Sequence, residues 1–306
     1  MRIHRFFLSA AVCAGFIGLG LSGCGEDNST DPESSASTDE GALRTMMDGE
    51  ASYFDGGQSV SDGQVTVGSP GPRTSPPGAP IESFYFVREI RSREVRRTVV
   101  IDDRGERPVA HVSTTAALHG IFHLFYDDPE NIYLPGVIDK RLNAIAEHKA
   151  TFVRALRTDR DPHRGWRLAE VSGTEVLSNP TTKDIVSVEI ISRSVNRTIT
   201  DPLALVPLRE LPTFLPGEAV TLRVRTTDAT DFVFLHVGLL KDEFQPLGEG
   251  TFEGTWTVGE RRGFRRVAVD VIDRETLFDD VAPYDSAAWV LQYRVAGEGR
   301  EGFEME

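Results

Sequence analysis

Cysteine is nearly absent from these 306 residues; there are only two, Cys13 and Cys24. Both lie in the first 24 positions, so whatever folds downstream has no thiol for a disulfide, a thiolate metal site or a cysteine nucleophile. Long apolar runs are equally scarce. Beyond Leu21 no stretch approaches the roughly 20 residues that a spanning helix needs. The familiar sharp motifs are missing too. No G-x-S-x-G turn, Walker loop, H-E-x-x-H, paired C-x-x-C or EF-hand spacing occurs, which counts against the commonest hydrolase and nucleotide-using classes. Positive charge is in the minority, with 33 Lys and Arg against 47 Asp and Glu, a formal net charge of -14 and a pI near 5.0. Such a surface repels phosphate backbones, so nucleic acid is not an expected partner, and no motif calls for a cofactor.

What is present begins with an export signal. In MRIHRFFLSAAVCAGFIGLGLSGC, Arg2 and Arg5 form a basic start, Phe6 to Leu21 an apolar stretch, and small residues precede the end. Removing 1–23 would leave a mature chain about two charges more negative. The order Leu21-Ser22-Gly23-Cys24 resembles the bacterial lipobox. The resemblance implies diacylation of Cys24 on sulfur, cleavage before it and membrane anchoring, which two or more acyl chains make stable. Gly25 follows, where an Asp would resemble an inner-membrane retention signal, so the expected location is the envelope with the outer membrane favoured.

Residues 24–38 contain the acidic run GEDNSTDPESSAST and read as a flexible tether of about 20 Å typical reach. A first unit is expected over 39–178. It opens with a helix at 39–54, where Leu43, Met46, Met47, Ala51 and Phe54 recur at helical spacing behind the Ser37–Glu40 capping pattern. The Gly/Pro-rich stretch 56–80 is loop, and a loop that long leaves open whether the helix belongs to the tether or to the fold. Long strands then follow: IESFYFVREI with EVRRTVVID, VAHVSTTAALHGIFHLFY, KRLNAIAEHKATFVRAL and GWRLAEVSG. Residues 142–157 also suit a helix by composition. The Arg/Glu alternation in VREIRSREVRR reads as the charged outer face of a strand.

Gly165, Trp166, Arg167, Leu168, Val171 and Ser172, ending a long bent antiparallel sheet after a helix, resemble the cone-shaped α+β fold named for nuclear transport factor two. That resemblance implies a pocket on the concave side of the sheet, used in the family for small-molecule binding and in some members for isomerisation or dehydration. A second unit, 179–298, has shorter strands with regular turn signals. In TFEGTWTV one face is Phe252, Gly254, Trp256 and Val258, and the other is polar. Six or seven such strands point to an immunoglobulin-like sandwich, with Trp256 and Trp289 in its core, before a charged tail at 299–306. The expected class is therefore α+β followed by all-β: a bent antiparallel sheet with one or few helices, then an antiparallel β-sandwich.

Two groups of side chains are candidates for chemistry. His111, His119 and His123 fall on one face of VAHVSTTAALHGIFHLFY, where imidazoles could act as acid and base or bind a metal with Asp127, Asp128, Glu147 or His148. Alternate strand residues are about 6.6 Å apart, so His119 and His123 are separated by about 13 Å unless the strand bends at Gly120. In DRETLFDDVAPYDS, Asp273, Glu275, Asp279, Asp280 and Asp285 offer hard oxygens suited to calcium, with Asp279, Asp280 and Asp285 the strongest. Against both stands a simpler expectation: a solvated strand face and a solvated acidic loop. The combined reading is a membrane-anchored, non-enzymatic binding protein for a protein or small molecule. The alternatives are an acid/base enzyme or small-molecule carrier using a first-unit pocket, and a metal-binding envelope protein.

Overall fold

A computed structural model describes residues 38–49, 65–66, 83–126, 135–155, 163–238 and 240–296. The expected anchor at Cys24, the tether, most of the 56–80 loop, Asp127, Asp128 and the tail at 299–306 lie outside the described residues.

The chain's most regular alternation builds its longest strands. A two-residue strand β1 (Val65–Thr66) pairs with β2 (Ser83–Asp102), which continues into β3 (Val109–Tyr126), β4 (Gly136–Arg154) and β5 (Trp166–Ser178) as an antiparallel meander. On β4, Leu142, Ala144, Ala146, Ala150 and Phe152 are buried while their odd-numbered neighbours are mostly wetter. The helix-favouring composition of 142–157 is overridden because a period of two buries one whole face and a helix would scatter it. β2 carries an extra residue near Arg91, opposite Gly120. A side chain at Gly120 would collide with the Glu89 carbonyl, so glycine permits the bulge. Beyond it the inward parity of β2 flips, from Phe86 and Arg88 to Arg97 and Val99.

Helix α1 (Asp39–Gly49) packs on the far end of this meander. Ala42, Leu43, Met46 and Met47 meet Ala110, Val112, Ala150, Phe152 and Trp166 in one core cluster. The helix therefore belongs to the fold and not to a tether. Its cap is Thr38, one residue after the expected Ser37: the Thr38 hydroxyl accepts from the Gly41 N–H at 3.0 Å. Asp39, in the first turn, pairs with Arg154 at 3.1 Å and Arg164 at 2.7 Å.

The chain continues through β6 (Ile185–Ser192), β7 (Asn196–Ile199), β8 (Val206–Pro207), β9 (Thr213–Phe214), β10 (Ala219–Thr226), β11 (Phe232–Val237) and β12 (Leu240–Glu243). It ends in β13 (Gln245–Gly248), β14 (Thr251–Thr257), β15 (Gly263–Ile272), helix α2 (Arg274–Phe278) and β16 (Ser286–Val295). One sheet runs β1-β2-β3-β4-β5-β16-β15-β11-β12, with β8 on β5 and β9 on β16. The other runs β13-β14-β10-β6-β7. All described pairings are antiparallel except β9 with β16. The protein is thus predominantly antiparallel β, with two short helices among the described residues.

The first sheet crosses position 178 without a break: Thr174 to Leu177 on β5 pair with Val290 to Ala287 on β16. It also curls until its ends meet. The ring of Phe86 on β2 lies edge-on to Phe234 on β11 at 5.2 Å, and β1 runs beside β12. A core including Leu118, Phe122, Leu142, Phe234, Ile272 and Tyr284 fills the inside of the curl. The outer faces of β11, β15 and β16 press against the second sheet through Leu235, Val269, Trp289, Val220, Leu222 and Trp256. Those three strands are consequently dry on both sides over most of their length, on β15 from Val267 to Ile272.

Candidate functional site

The three histidines singled out by sequence do share the outer face of β3, but each is engaged by its own cross-strand neighbour. His111 Nδ1 lies 3.4 Å from the Thr151 hydroxyl. His119 Nδ1 is 3.0 Å from the Asn143 amide, whose NH2 donates to it when its oxygen accepts from Arg141 Nε. His123 sits between Asp139 at 2.8 Å and Glu89 at 3.1 Å. Its partial burial disfavours the imidazolium, yet hydrogen bonds to Asp139 and Glu89 outweigh that and raise its pKa. β3 stays extended past Gly120, because the bulge falls on β2, so the bend that could have brought these imidazoles together is not made. His148 is on the opposite, inward face, between Thr114 and Thr174 in the register. Burial, reinforced by Arg97 and Arg93, lowers it to about 4, so it is neutral at pH 7.

In the acidic loop the carboxylates of Asp273, Asp279 and Asp285 bond to the protein itself. Asp273 Oδ2 caps α2 through the Glu275 and Thr276 N–H groups, while its Oδ1 meets Lys183 at 2.7 Å. Asp279 Oδ1 accepts from the Val281 and Ala282 N–H groups at 2.8 and 3.1 Å. Asp285 accepts from Ser178, Thr181 and Thr182 hydroxyls at 3.0, 2.9 and 2.6 Å. Where the loop's carbonyls converge sits an ammonium group: Lys140 Nζ donates to the Thr276 and Asp279 carbonyls at 2.7 and 2.6 Å. Burial pulls this lysine down to about 8, against the pull of Asp279, Asp273 and Asp280. Among the described residues no group of three His, Cys, Asp or Glu side chains is disposed to hold a metal ion.

Sequence reasoning assigned Arg88 to a charged outer face, and the structure corrects this. Arg88 lies before the bulge, on the inward parity, and its guanidinium is bidentate on Asp270 at 2.6 and 2.9 Å. Its Nε donates to the Tyr284 hydroxyl at 2.9 Å, which also accepts from Ser286 at 2.6 Å. Burial would raise the Asp270 carboxyl, but Arg88 and His236 hold it below its ordinary value. His236 Nε2 is 3.0 Å from Asp270, and its Nδ1 is 2.9 Å from Lys241 Nζ. Burial lowers His236, so it is a neutral imidazole with both nitrogens engaged and no lone pair for a substrate. The signal was visible: Asp270 and His236 are lone polar residues inside the apolar runs VAVDVI and FVFLHV.

A recess among the described residues arises from a fork in the first sheet. β5 and β16 pair as far as Thr174 and Val290, then part. β5 goes on to pair with β8, and β16 with β9, so the segment 200–212 is wedged between the two. Gly173 stands at the crotch, where a Cβ would lie 2.8 Å from the Val290 carbonyl and 3.0 Å from that of Pro202. A half-open cleft of about 190 Å³ results. Its walls are Ser172 and Gly173 of β5, Leu291 and Gln292 of β16, the outer strand β7 and the wedge itself. The buried Ser172 hydroxyl donates to the Gly173 carbonyl at 2.6 Å and accepts from the Lys149 N–H at 2.7 Å, which stiffens the β5 wall. No sequence motif marks this recess, because it depends on two strands more than 100 residues apart ceasing to pair.

Fold and cleft together describe a predominantly antiparallel β protein with a small recess where its main sheet splits. No protein-family model matches the chain, and neither a curated protein nor a solved structure matches it.

Proposed function

We propose that this is a lipid-anchored protein of the bacterial cell envelope, held at the membrane through Cys24, that binds a small molecule without chemically changing it. The fork cleft carries the reading. Ligand sites favour places where elements of different parts of a fold meet, and this recess joins β5 of the first unit to β7, β16 and the wedge of the second. The Leu21–Cys24 lipobox resemblance and the acidic stretch after it support the anchor and tether.

One helix on a long curled meander supports a likeness of 39–178 to the nuclear transport factor two class. Second-sheet order β13-β14-β10-β6, facing β12-β11-β15-β16, supports an immunoglobulin-like sandwich for 179–298, since it matches the D-E-B-A and C′-C-F-G arrangement of such domains.

One protein preparation tests both halves. Cys24→Ser should move the protein from the membrane pellet to the soluble fraction, and continued pelleting sinks the anchor. Thermal melting of that soluble chain against a panel of small polar and apolar solutes should show saturable stabilisation by at least one class. A flat panel sinks the binding reading.

A further inference from the structure

The cleft holds opposite charges that do not neutralise each other. Arg197, on β7, and Asp201, at the start of the wedge, both line it. Arg197 donates through Nη1 to the Glu210 carbonyl at 3.3 Å, and Asp201 accepts through Oδ1 from the Leu203 N–H at 2.8 Å. Among the described ion pairs the two are not joined to each other or to a third group. Two residues of opposite charge thus line one small cavity, with Thr198 and Thr200 between them in the chain. Apart from Ser172 and Gln292 the rest of the lining is apolar, including Ile199, Val206, Leu211 and Leu291.

From these features we infer that the cleft takes a small aliphatic zwitterion, of the class of a free α-amino acid with a branched apolar side chain. The inference rests on the cleft being a ligand site and names its ligand class. Arg197 receives the carboxylate, Asp201 the ammonium group, and the aliphatic wall the side chain. Size agrees: 190 Å³ has room for roughly six waters at about 30 Å³ each, well below the roughly 300 Å³ at which sites for drug-sized ligands begin. A single charged group would leave one of the two rim charges unmatched, and a neutral ligand would leave both. Arg197 also suits its task, because the planar guanidinium can hold a carboxylate with two parallel bonds.

The test is calorimetric titration of the purified full chain with leucine or valine, alongside leucine amide and N-acetyl-leucine, each lacking one charge. Leucine should bind about ten- to a hundredfold more tightly than either analogue, the usual worth of one charge-assisted hydrogen bond. Arg197→Gln should weaken leucine by a similar factor and leave leucine amide unchanged. Asp201→Asn should do the converse, weakening leucine but not N-acetyl-leucine. Ala204→Trp, which places a large ring at the cleft wall, should abolish all binding. Equal binding of leucine and both analogues, or insensitivity to Arg197→Gln, overturns the zwitterion. A neutral solute that binds and is expelled by Ala204→Trp also overturns it while leaving the cleft a ligand site. If no solute of any class binds, the ligand site itself falls.

Discussion

The far half of β3 and β4 and the strands β11, β15 and β16 share one sheet and one backbone geometry, yet they obey different rules. β3 has one dry face, under α1 and the inner core, and one wet face, where His111, His119 and His123 hydrogen-bond to neighbours at little cost. β11 and β15 have no wet face: Phe234 faces the inner core and the adjacent Leu235 the second sheet. A polar residue on these strands must bring its partners with it, as Asp270 brings Arg88 and His236. The number of covered faces, and not the strand itself, decides what a substitution costs.

The largest effect is expected at the polar centre of the two-sided strands. Asp270→Ala leaves the Arg88 guanidinium buried without its carboxylate and should destabilise the protein by about 3–5 kcal/mol. The double variant Arg88→Met, Asp270→Leu removes both charges and should be substantially more stable than Asp270→Ala, because no unpaired charge remains. Urea unfolding of the two compares them directly. A double variant as unstable as the single one would mean that geometry and not charge is at stake.

A slightly smaller effect sharpens the contrast between the regions. On β11, Phe234→Ala and Leu235→Ala should each cost about 2–5 kcal/mol, since adjacent residues fill two different cores. On β3 the equivalent adjacent pair splits: Leu124→Ala should fall in that range, while His123→Ala, on the wet face, should stay within about 1 kcal/mol. If Leu235→Ala proved as mild as His123→Ala, the second sheet would not be covering β11 in solution.

That contrast also explains what could be read in advance. The alternation in VAHVSTTAALHGIFHLFY gave both the strand and its wet face, and the Trp256 face of TFEGTWTV is buried as expected. α1 was recognisable from its spacing, but its place was not, because nothing in the helix names Phe152 and Trp166 as its seat. Continuous runs such as VAVDVI have no period to read, so the sharing of β15 and β16 between two cores stayed hidden. The inward turn of Arg88 depends on a one-residue bulge, which resets parity without altering composition. Histidines that caught attention by their number belong to separate small contacts. Arg197 and Asp201 drew none, since their common cleft exists only because β5 and β16 part.

The gentlest comparison sets a dry histidine against a wet one and uses pH as the probe. His148 is held near 4 in the folded chain by burial and by Arg97 and Arg93, against about 6.5 unfolded. Between those values the unfolded chain binds the extra proton, so the stability that neutral His148 contributes is complete above pH 6.5 and is lost as pH falls toward 4. The loss attributable to this residue is at most about 3 kcal/mol. His123 has the opposite sign. Its folded pKa is raised, so its contribution is complete below 6.5 and disappears as pH rises through the folded value, and solvent screening keeps it small. Unfolding free energies at pH 7.0, 5.5 and 4.5 should therefore fall less steeply in His148→Leu than in the parent chain, and slightly more steeply in His123→Gln. Other groups, including Asp231, which burial lifts to about 6, are common to all three proteins and cancel in the differences. Parallel pH profiles for the parent and His148→Leu would place His148 in contact with water, and the one-dry-face description of β4 would then fail where Thr114 and Thr174 flank it.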